Sequence, residues 1–307
     1  MTPEDRSPVD GGYVPWSPLP ERPPLRWPGQ APVAVCFLVH VERIPISAPG
    51  PAVIGRSVTH RGPYPAIADL HEVTPHEYGN RVGLFRVLDL LGRHDIAVSA
   101  PIDAAVLTGS ERIVSALLDQ RCELLGHAPQ SHEVISQEMT EEAEWDYLRR
   151  SLDPFEQVVG ARPRGWAGVE YAESSRTVEL LARAGLDIVC DWPSDEQPFE
   201  MTVPAGRMTC LPVSVHLDDI FAMRLRGIDP AVWADSVCRA FDRLCVDGRR
   251  QGRTLVLGLH PWFVGQPHRI GYLDQVVRHL AGSGQAWFAT ATQIVDRYRV
   301  GVPGAGS

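Results

Sequence analysis

Four side chains in this sequence have types and positions suited to acid–base or metal chemistry: His40, Glu42, His127 and His260. Each stands at the end of an apolar run that reads as a buried strand. "PVAVCFLVHVE" closes on His40 and Glu42, "CELLGH" on His127 and "RTLVLGLHP" on His260. His40 and Glu42 are two residues apart, so along a strand they point to the same side. A carboxylate beside an imidazole sets its tautomer and moves a pKa that already lies near neutrality. Such a group can take a proton from water, hold an oxyanion or bind a metal. His132 follows His127 with Pro129 between them, which restricts that turn. The run at 208–215 leads to His216, Asp218 and Asp219, and another ends in Asp191 and Trp192. Trp166, Trp192 and Trp262 also stand at strand ends. They are either core packing or, at one rim, a flat apolar wall for a substrate. With Asp191, Asp219 and His132 they make up the expected substrate contacts. His60, His71, His76 and His94 read as loop or solvent residues.

The elements that must position these residues alternate. From Asn80 onward, apolar runs with strand character and segments with helical spacing follow each other about seven times. Ser110 and Thr140 stand where helix N-caps are expected. Nearly continuous apolar strands separated by helices argue for an α/β fold: parallel strands with helices outside, in a closed or nearly closed barrel. In such barrels the active site lies at the C-terminal ends of the strands, where the ionisable residues fall. Residues 1–31, rich in proline and glycine and carrying Trp16 and Trp27, read as an extended N-terminal arm. Residues 32–300 read as the barrel and 301–307 as a disordered tail. Residues 44–79 show no clear period and read as a long loop, a lid or a rim of the site.

Composition narrows the function. The 307 residues carry 29 Lys and Arg against 38 Asp and Glu, a formal charge of −9. That balance argues against a basic nucleic-acid groove and against a basic membrane face. Cys36, Cys122, Cys190 and Cys210 sit in apolar runs, and Cys238 and Cys245 form no CxxC pair. Buried free thiols and a cytoplasmic location are the expectation. No basic segment followed by an apolar one opens the chain, and no run of about 18 apolar residues occurs, so neither a signal peptide nor a transmembrane helix is expected.

The segment "LGLHPWFVGQPHRIGYLDQVV" resembles the C-terminal motif LHPxxxGxPxR of the polysaccharide deacetylase (NodB-homology) superfamily. "ERPPLRWPGQAPVAVCFLVHVE", "EYGNRVGLFRVLDLL", "RPRGWAG", "DIVCDWPSDEQPF" and "WFATATQIVDRY" are similar to its branch of metal-independent allantoinase and cyclic imidases. The resemblance implies a distorted (β/α) barrel of about seven strands. It places His40 at the superfamily's catalytic base, normally Asp, and Glu42 at or next to a metal-binding Asp. His127 falls at the first ligand histidine, Ser131 at the second, His132 one residue late, and His260 at the late acid. Ala167 stands where an Arg is common. The implied activity is hydrolysis of an amide, cyclic imide or ureide C–N bond in a small molecule. His40 would be the base, oriented by Glu42, and His127 and His260 would serve the oxyanion or the leaving nitrogen. With Ser131 in the second ligand's place, no cofactor is expected; the alternative is zinc or another divalent metal on Glu42, His127 and His132. Other readings of the same pocket are isomerisation, elimination or cyclisation of a small metabolite, or non-catalytic binding. By analogy the chain is expected to form a homo-oligomer.

Overall fold

A computed structural model describes residues 13–45, 70–204 and 206–301. The first twelve residues of the expected arm, the greater part of the expected 44–79 loop and residues 302–307 of the expected tail lie outside the described residues.

The strands are β1 (Val33–Val39), β2 (Val98–Ile102), β3 (Glu123–Gly126), β4 (Gly165–Trp166), β5 (Ile188–Val189), β6 (Phe199–Met201), β7 (Met208–Cys210), β8 (Arg253–Leu259) and β9 (Ala286–Phe288). The helices are α1 (Leu70–Tyr78), α2 (Leu84–Gly92), α3 (Ala104–Gly109), α4 (Glu111–Asp119), α5 (Glu141–Val159), α6 (Thr177–Arg183), α7 (Pro230–Gly248), α8 (Ile270–Gly282) and α9 (Ala291–Gly301). The sheet order is β6-β7-β5-β4-β3-β2-β1-β8. All pairs along it are parallel except β6 with β7, and β9 also pairs in parallel with β1. Seven strands, β1 to β5 with β7 and β8, therefore form the parallel circuit that the alternation predicts. The segment after β7 draws the ends of the circuit together. Leu211 N–H donates to Val189 O of β5 (2.9 Å), and Ser214 N–H donates to Val256 O of β8 (2.9 Å). The result is the distorted (β/α) barrel.

Period-two alternation along β1 separates two cores. Ala34, Cys36 and Leu38 face inward and join Leu125, Ala167, Ile188, Cys190 and Val256. Val33, Val35, Phe37 and Val39 face outward and pack with apolar residues of α2, α7 and α8. The helices are amphipathic for this reason, and packing rather than capping secures them. Thr140 Oγ1 accepts from Ala143 N–H (3.2 Å) as a cap should, whereas the Ser110 side chain makes no cap bond to α4.

Two local expectations change. Residues 70–78 of the expected loop are helix α1, whose weak apolar period and internal Pro75 concealed it. The antiparallel β6 was not expected. In the arm, Trp27 is buried and donates from Nε1 to Arg253 O (2.7 Å), while Trp16 is exposed. All six cysteines are buried and free. Among the described residues no helix is long and apolar enough to cross a membrane.

Between α1 and α2 the chain widens into one π turn, Gly79–Gly83, and the loop after β8 lies directly on it. A Cβ at Gly83 would come within 2.1 Å of Pro261 O, and one at Gly79 within 2.8 Å of Trp262 Cβ. Only glycine allows that approach. Gly83→Ala must push backbone against backbone, so it should destabilise the fold by about 1–3 kcal/mol, measured as a lowered urea midpoint.

Candidate active site

The site follows from strand register. β1 and β8 pair in parallel with Val39 opposite Leu259, so the next residues, His40 and His260, lie side by side and point to the same face. Neighbouring strands are about 4.8 Å apart. The two imidazoles accordingly stack, with centroids 4.5 Å apart and planes 4° from parallel. β2, β3 and β4 end level with one another and opposite Glu42, two residues beyond His40, which adds Asp103, His127 and Ala167 to the rim. Five consecutive barrel positions thus present His260, His40, Asp103, His127 and Ala167 at one rim, and Glu42 stands two residues beyond His40.

Each group has identifiable partners. His260 Nδ1 meets Asp219 Oδ1 at 2.7 Å, and its backbone N–H donates to Asp219 Oδ2 at 2.9 Å. Asp218 Oδ2 lies 3.9 Å from the same ring nitrogen and accepts from Tyr171 O–H at 2.9 Å. That last bond passes over Gly258, where a Cβ would sit 2.2 Å from Asp218 Oδ2 and 2.3 Å from Tyr171 Oη. Tyr171 reaches it from a tight turn in which Glu170 and Tyr171 both adopt the left-handed region, φ 55° and 56°. His127 Nδ1 bonds Ala167 O, so Nδ1 carries the proton, and Nε2 faces Glu42 Oε1 at 3.7 Å. Glu42 Oε2 accepts from Trp262 Nε1–H at 2.7 Å and lies 3.7 Å from His76 Nε2. Among the described residues neither nitrogen of His40 and not His127 Nε2 has a hydrogen-bond partner.

Electrostatics separate these groups. Burial pulls His260 down, but Asp219 and Asp218 outweigh it and raise it to about 10. Burial lifts Asp219 to about 6, so the proton of the pair stays on His260. Burial, then His260 and His127, hold His40 well below its usual value. Burial would raise Glu42, but His260, His127 and His76 hold it well below the carboxylate range. Burial raises Asp103 to about 7. Asp191 is pushed well above its range by burial and by Glu173, itself raised to about 7 mainly by burial.

The expected residues divide on this geometry. His40, Glu42, His127 and His260 come together. Glu42, however, turns to His127 and Trp262, and does not hydrogen-bond His40 as expected. Asp219, expected at the substrate, holds His260 instead, with both oxygens engaged. Asp191 is buried and accepts from Gly168 N–H at 2.7 Å. Trp262 packs on the histidine cluster, 6.4 Å from His260. Trp166 is fully buried and shares a different apolar cluster with Trp192, so the three tryptophans do not form one wall. His132 stays outside the His40–Glu42–His127 group, in which one donor atom from each residue lies within 4.8 Å of the others. Ser131 cannot be a ligand in this arrangement, because its hydroxyl donates to Asp103 Oδ2 (2.7 Å).

Three participants were not read from the sequence. Asp103 ends the strand "IAVSAPID", and the rule that found His127 applies to it equally. His76, expected in solvent, is buried on α1 with its ring 4.4 Å from Trp262. Tyr171 depends on a turn for which the sequence carries no signal.

The fold and site together define a (β/α) barrel with ionisable groups gathered at the C-terminal rim. No protein-family model matches the chain. It is 22% identical over 240 residues, 72% of its length and 74% of the relative's, to a Schizosaccharomyces pombe protein described as "Putative polysaccharide deacetylase". Among solved structures it is similar to PuuE allantoinase, with TM-score 0.79, 21% identity, and 91% of this chain and 94% of that chain covered. A probable polysaccharide deacetylase from Pseudomonas aeruginosa PAO1 gives TM-score 0.77, 21% identity and the same coverage. The chain resembles the polysaccharide deacetylase superfamily, as the motifs implied, and shares its NodB-like barrel.

Asp103 ties the loop after β1 to the loop after β3. Its Oδ2 accepts from Arg43 N–H (2.7 Å), Ser131 N–H (2.9 Å) and Ser131 O–H (2.7 Å). Asp103→Ala strands those buried donors and should cost about 1–3 kcal/mol of stability. Asp103→Asn, which keeps an acceptor, should cost less; paired denaturant melts compare the two.

Proposed function

We propose that this chain is a hydrolase of non-peptide carbon–nitrogen bonds, acting on an amide, cyclic imide or ureide of a small molecule. One observation carries the reading. His260, clamped through Nδ1 by Asp219, stacks on His40, whose nitrogens are uncommitted, with His127 and Glu42 beside them. Hydrolysis of such a bond needs two ends: one activates water and steadies the oxyanion, and the other protonates the departing nitrogen. His260 suits the second end. Its Nδ1 is committed to Asp219, which leaves Nε2 as the nitrogen able to pass a proton to a bound substrate. Asp219 and Asp218 hold that ring in orientation, and Tyr171 holds Asp218.

The His40–Glu42–His127 group suits the first end. A neutral imidazole with open nitrogens accepts from water, and His127, fixed by Ala167 O, faces the same space. The donor set also fits a divalent cation: His40, Glu42 and His127 would hold it, and when bound it would supply Lewis-acid activation of water or carbonyl. The similarity to an allantoinase and to polysaccharide deacetylases supports C–N hydrolysis over other uses of the pocket. The small-molecule substrate, the homo-oligomer and the cytoplasmic location remain part of the proposal.

Incubation with a panel of cyclic imides, ureides and N-acylated small molecules tests it by product mass. Gain of one water molecule is expected. An isomer of unchanged mass would establish non-hydrolytic acid–base chemistry, and bound but unaltered ligand would establish a binder. His260→Ala should lower turnover about 100- to 10,000-fold. Unchanged turnover would remove His260 from the reaction.

A further inference from the structure

Tyr171 enters the site from a turn that its own residues disfavour. Glu170 and Tyr171 are consecutive non-glycine residues in the left-handed region, and such backbone persists only where the surroundings hold it. The side chain that depends on it touches both parts of the site. Its ring meets His40 edge-on, 5.9 Å between centroids, and its hydroxyl donates to Asp218 Oδ2. The hold is visible at each end of the turn. At its start, Gly168 N–H donates to Asp191 Oδ1 (2.7 Å). At its end, Glu173 Oε2 accepts from Trp192 Nε1–H (2.8 Å). Both anchors are therefore two consecutive residues just after β5, Asp191 and Trp192.

The second oxygen of each carboxyl group is the anomaly. Asp191 Oδ2 and Glu173 Oε1 are buried and, among the described residues, receive no N–H or O–H. Trp166 Nε1, also close to Gly168, is buried without a partner and donates to neither. The two carboxyl groups instead lie within hydrogen-bond reach of each other. Two carboxylates offer only acceptors, so a bond between them requires a proton. The surroundings do not favour a second anion. Arg176 is committed to Glu144 Oε2 (3.2 Å) and Met139 O (2.6 Å). The other ionisable groups that the pair faces are Glu144, Tyr13, Tyr147, Tyr171, Cys190 and Cys210, none of them a cation. Burial raises both carboxyls, and the charge of Glu173 raises Asp191 further, which agrees with a retained proton.

We propose that Asp191 and Glu173 share one proton at neutral pH, and that this bridge closes the turn at residues 168–173 onto the end of β5, making Glu173 a positioning residue for Tyr171 and, through Asp218, for His260. The proton comes from water as the chain folds and returns to water in base. The folded chain keeps a proton that the unfolded chain releases in the ordinary carboxylate range. The bridge's contribution to stability is therefore full below that range and declines as pH rises towards the raised folded values. Its consequence for turnover rests on the hydrolase reading; the bridge itself does not.

Infrared spectra read the proton directly. At about pH 8, where ordinary carboxyls are ionised, the difference between the parent and Glu173→Gln should contain the carbonyl stretch of a protonated carboxyl, shifted in D₂O. In that variant the amide donates to an ionised Asp191 and accepts from Trp192, so the fastening persists without the proton. Its urea midpoint should accordingly fall less steeply with rising pH than the parent's. The position of Tyr171 is read at His260 by NMR. The His260 ring-nitrogen signals should move in Glu173→Ala as they do in Tyr171→Phe, stay near the parent's in Glu173→Gln, and move no further in the double variant. Turnover should drop about 10- to 100-fold in Glu173→Ala and recover in Glu173→Gln. Circular dichroism confirms folding, and Glu173→Leu replaces Glu173→Ala if the latter is not folded. A parent without the carboxyl band overturns the shared proton. Unmoved His260 signals in Glu173→Ala, or additive shifts in the double variant, overturn the positioning role. A chain that shows the band and the shifts but hydrolyses nothing would refute the hydrolase reading alone.

Discussion

Glu42 is a carboxylate taken almost wholly out of water, and its compensation organises the rim. A buried charge is tolerated only when other groups replace its hydration. Trp262 supplies one hydrogen bond, His127 and His76 stand 3.7 Å away on either oxygen, and Asn80 secures the backbone carbonyl. Those four residues come from the loop after β8, the loop after β3, helix α1 and the π turn that follows it. The π turn is needed because the loop after β8 must approach within contact of Gly79 and Gly83 for the Trp262 indole to arrive at Glu42. One buried charge therefore accounts for a helix irregularity, two glycines and a tryptophan far away in sequence.

The opposite side of the rim depends on register. Parallel pairing of β1 with β8 over seven residues leaves the following histidines no choice but to stack. The same inward face of β8 carries Gly258 two residues earlier, and the vacated Cβ volume is occupied by the Tyr171–Asp218 hydrogen bond. A larger residue there would displace the pair that backs His260. The strained turn at Glu170 and Tyr171 is consistent with this, since left-handed backbone at two non-glycine residues persists only where the surroundings hold it.

The barrel was legible because its physics is local. Runs such as "VAVCFLV" and "RTLVLGL" are apolar on both faces, and only a strand covered on both sides accommodates that. The strand-end rule then located His40, His127 and His260. Its failures are physical as well. Helix α1 contains a proline and little apolar periodicity, because His76 faces the site rather than a core, so it read as loop. Asp219 was placed at the substrate because sequence shows that an acid ends a segment, but not that both its oxygens are consumed by His260. Asp103 was missed although it stands at a strand end, because sequence does not show that its carboxylate binds Ser131 and the Arg43 N–H.

Stacking also decides how charge is distributed between His40 and His260. Two unit charges 4.5 Å apart repel by about 4 kcal/mol at an effective dielectric constant near 20, so the pair carries one proton in excess at most. Asp219 and Asp218 lie on the His260 side, and no comparable carboxylate bonds His40 among the described residues. The charge therefore settles on His260, and His40 remains the neutral ring. Exchanging an acid for a histidine at the β1 position thus does more than substitute one base for another. An aspartate there would pair with the cation next to it and be neutralised by it. An imidazole stays uncharged beside that cation and keeps its lone pair for whatever occupies the space in front of Glu42 and His127.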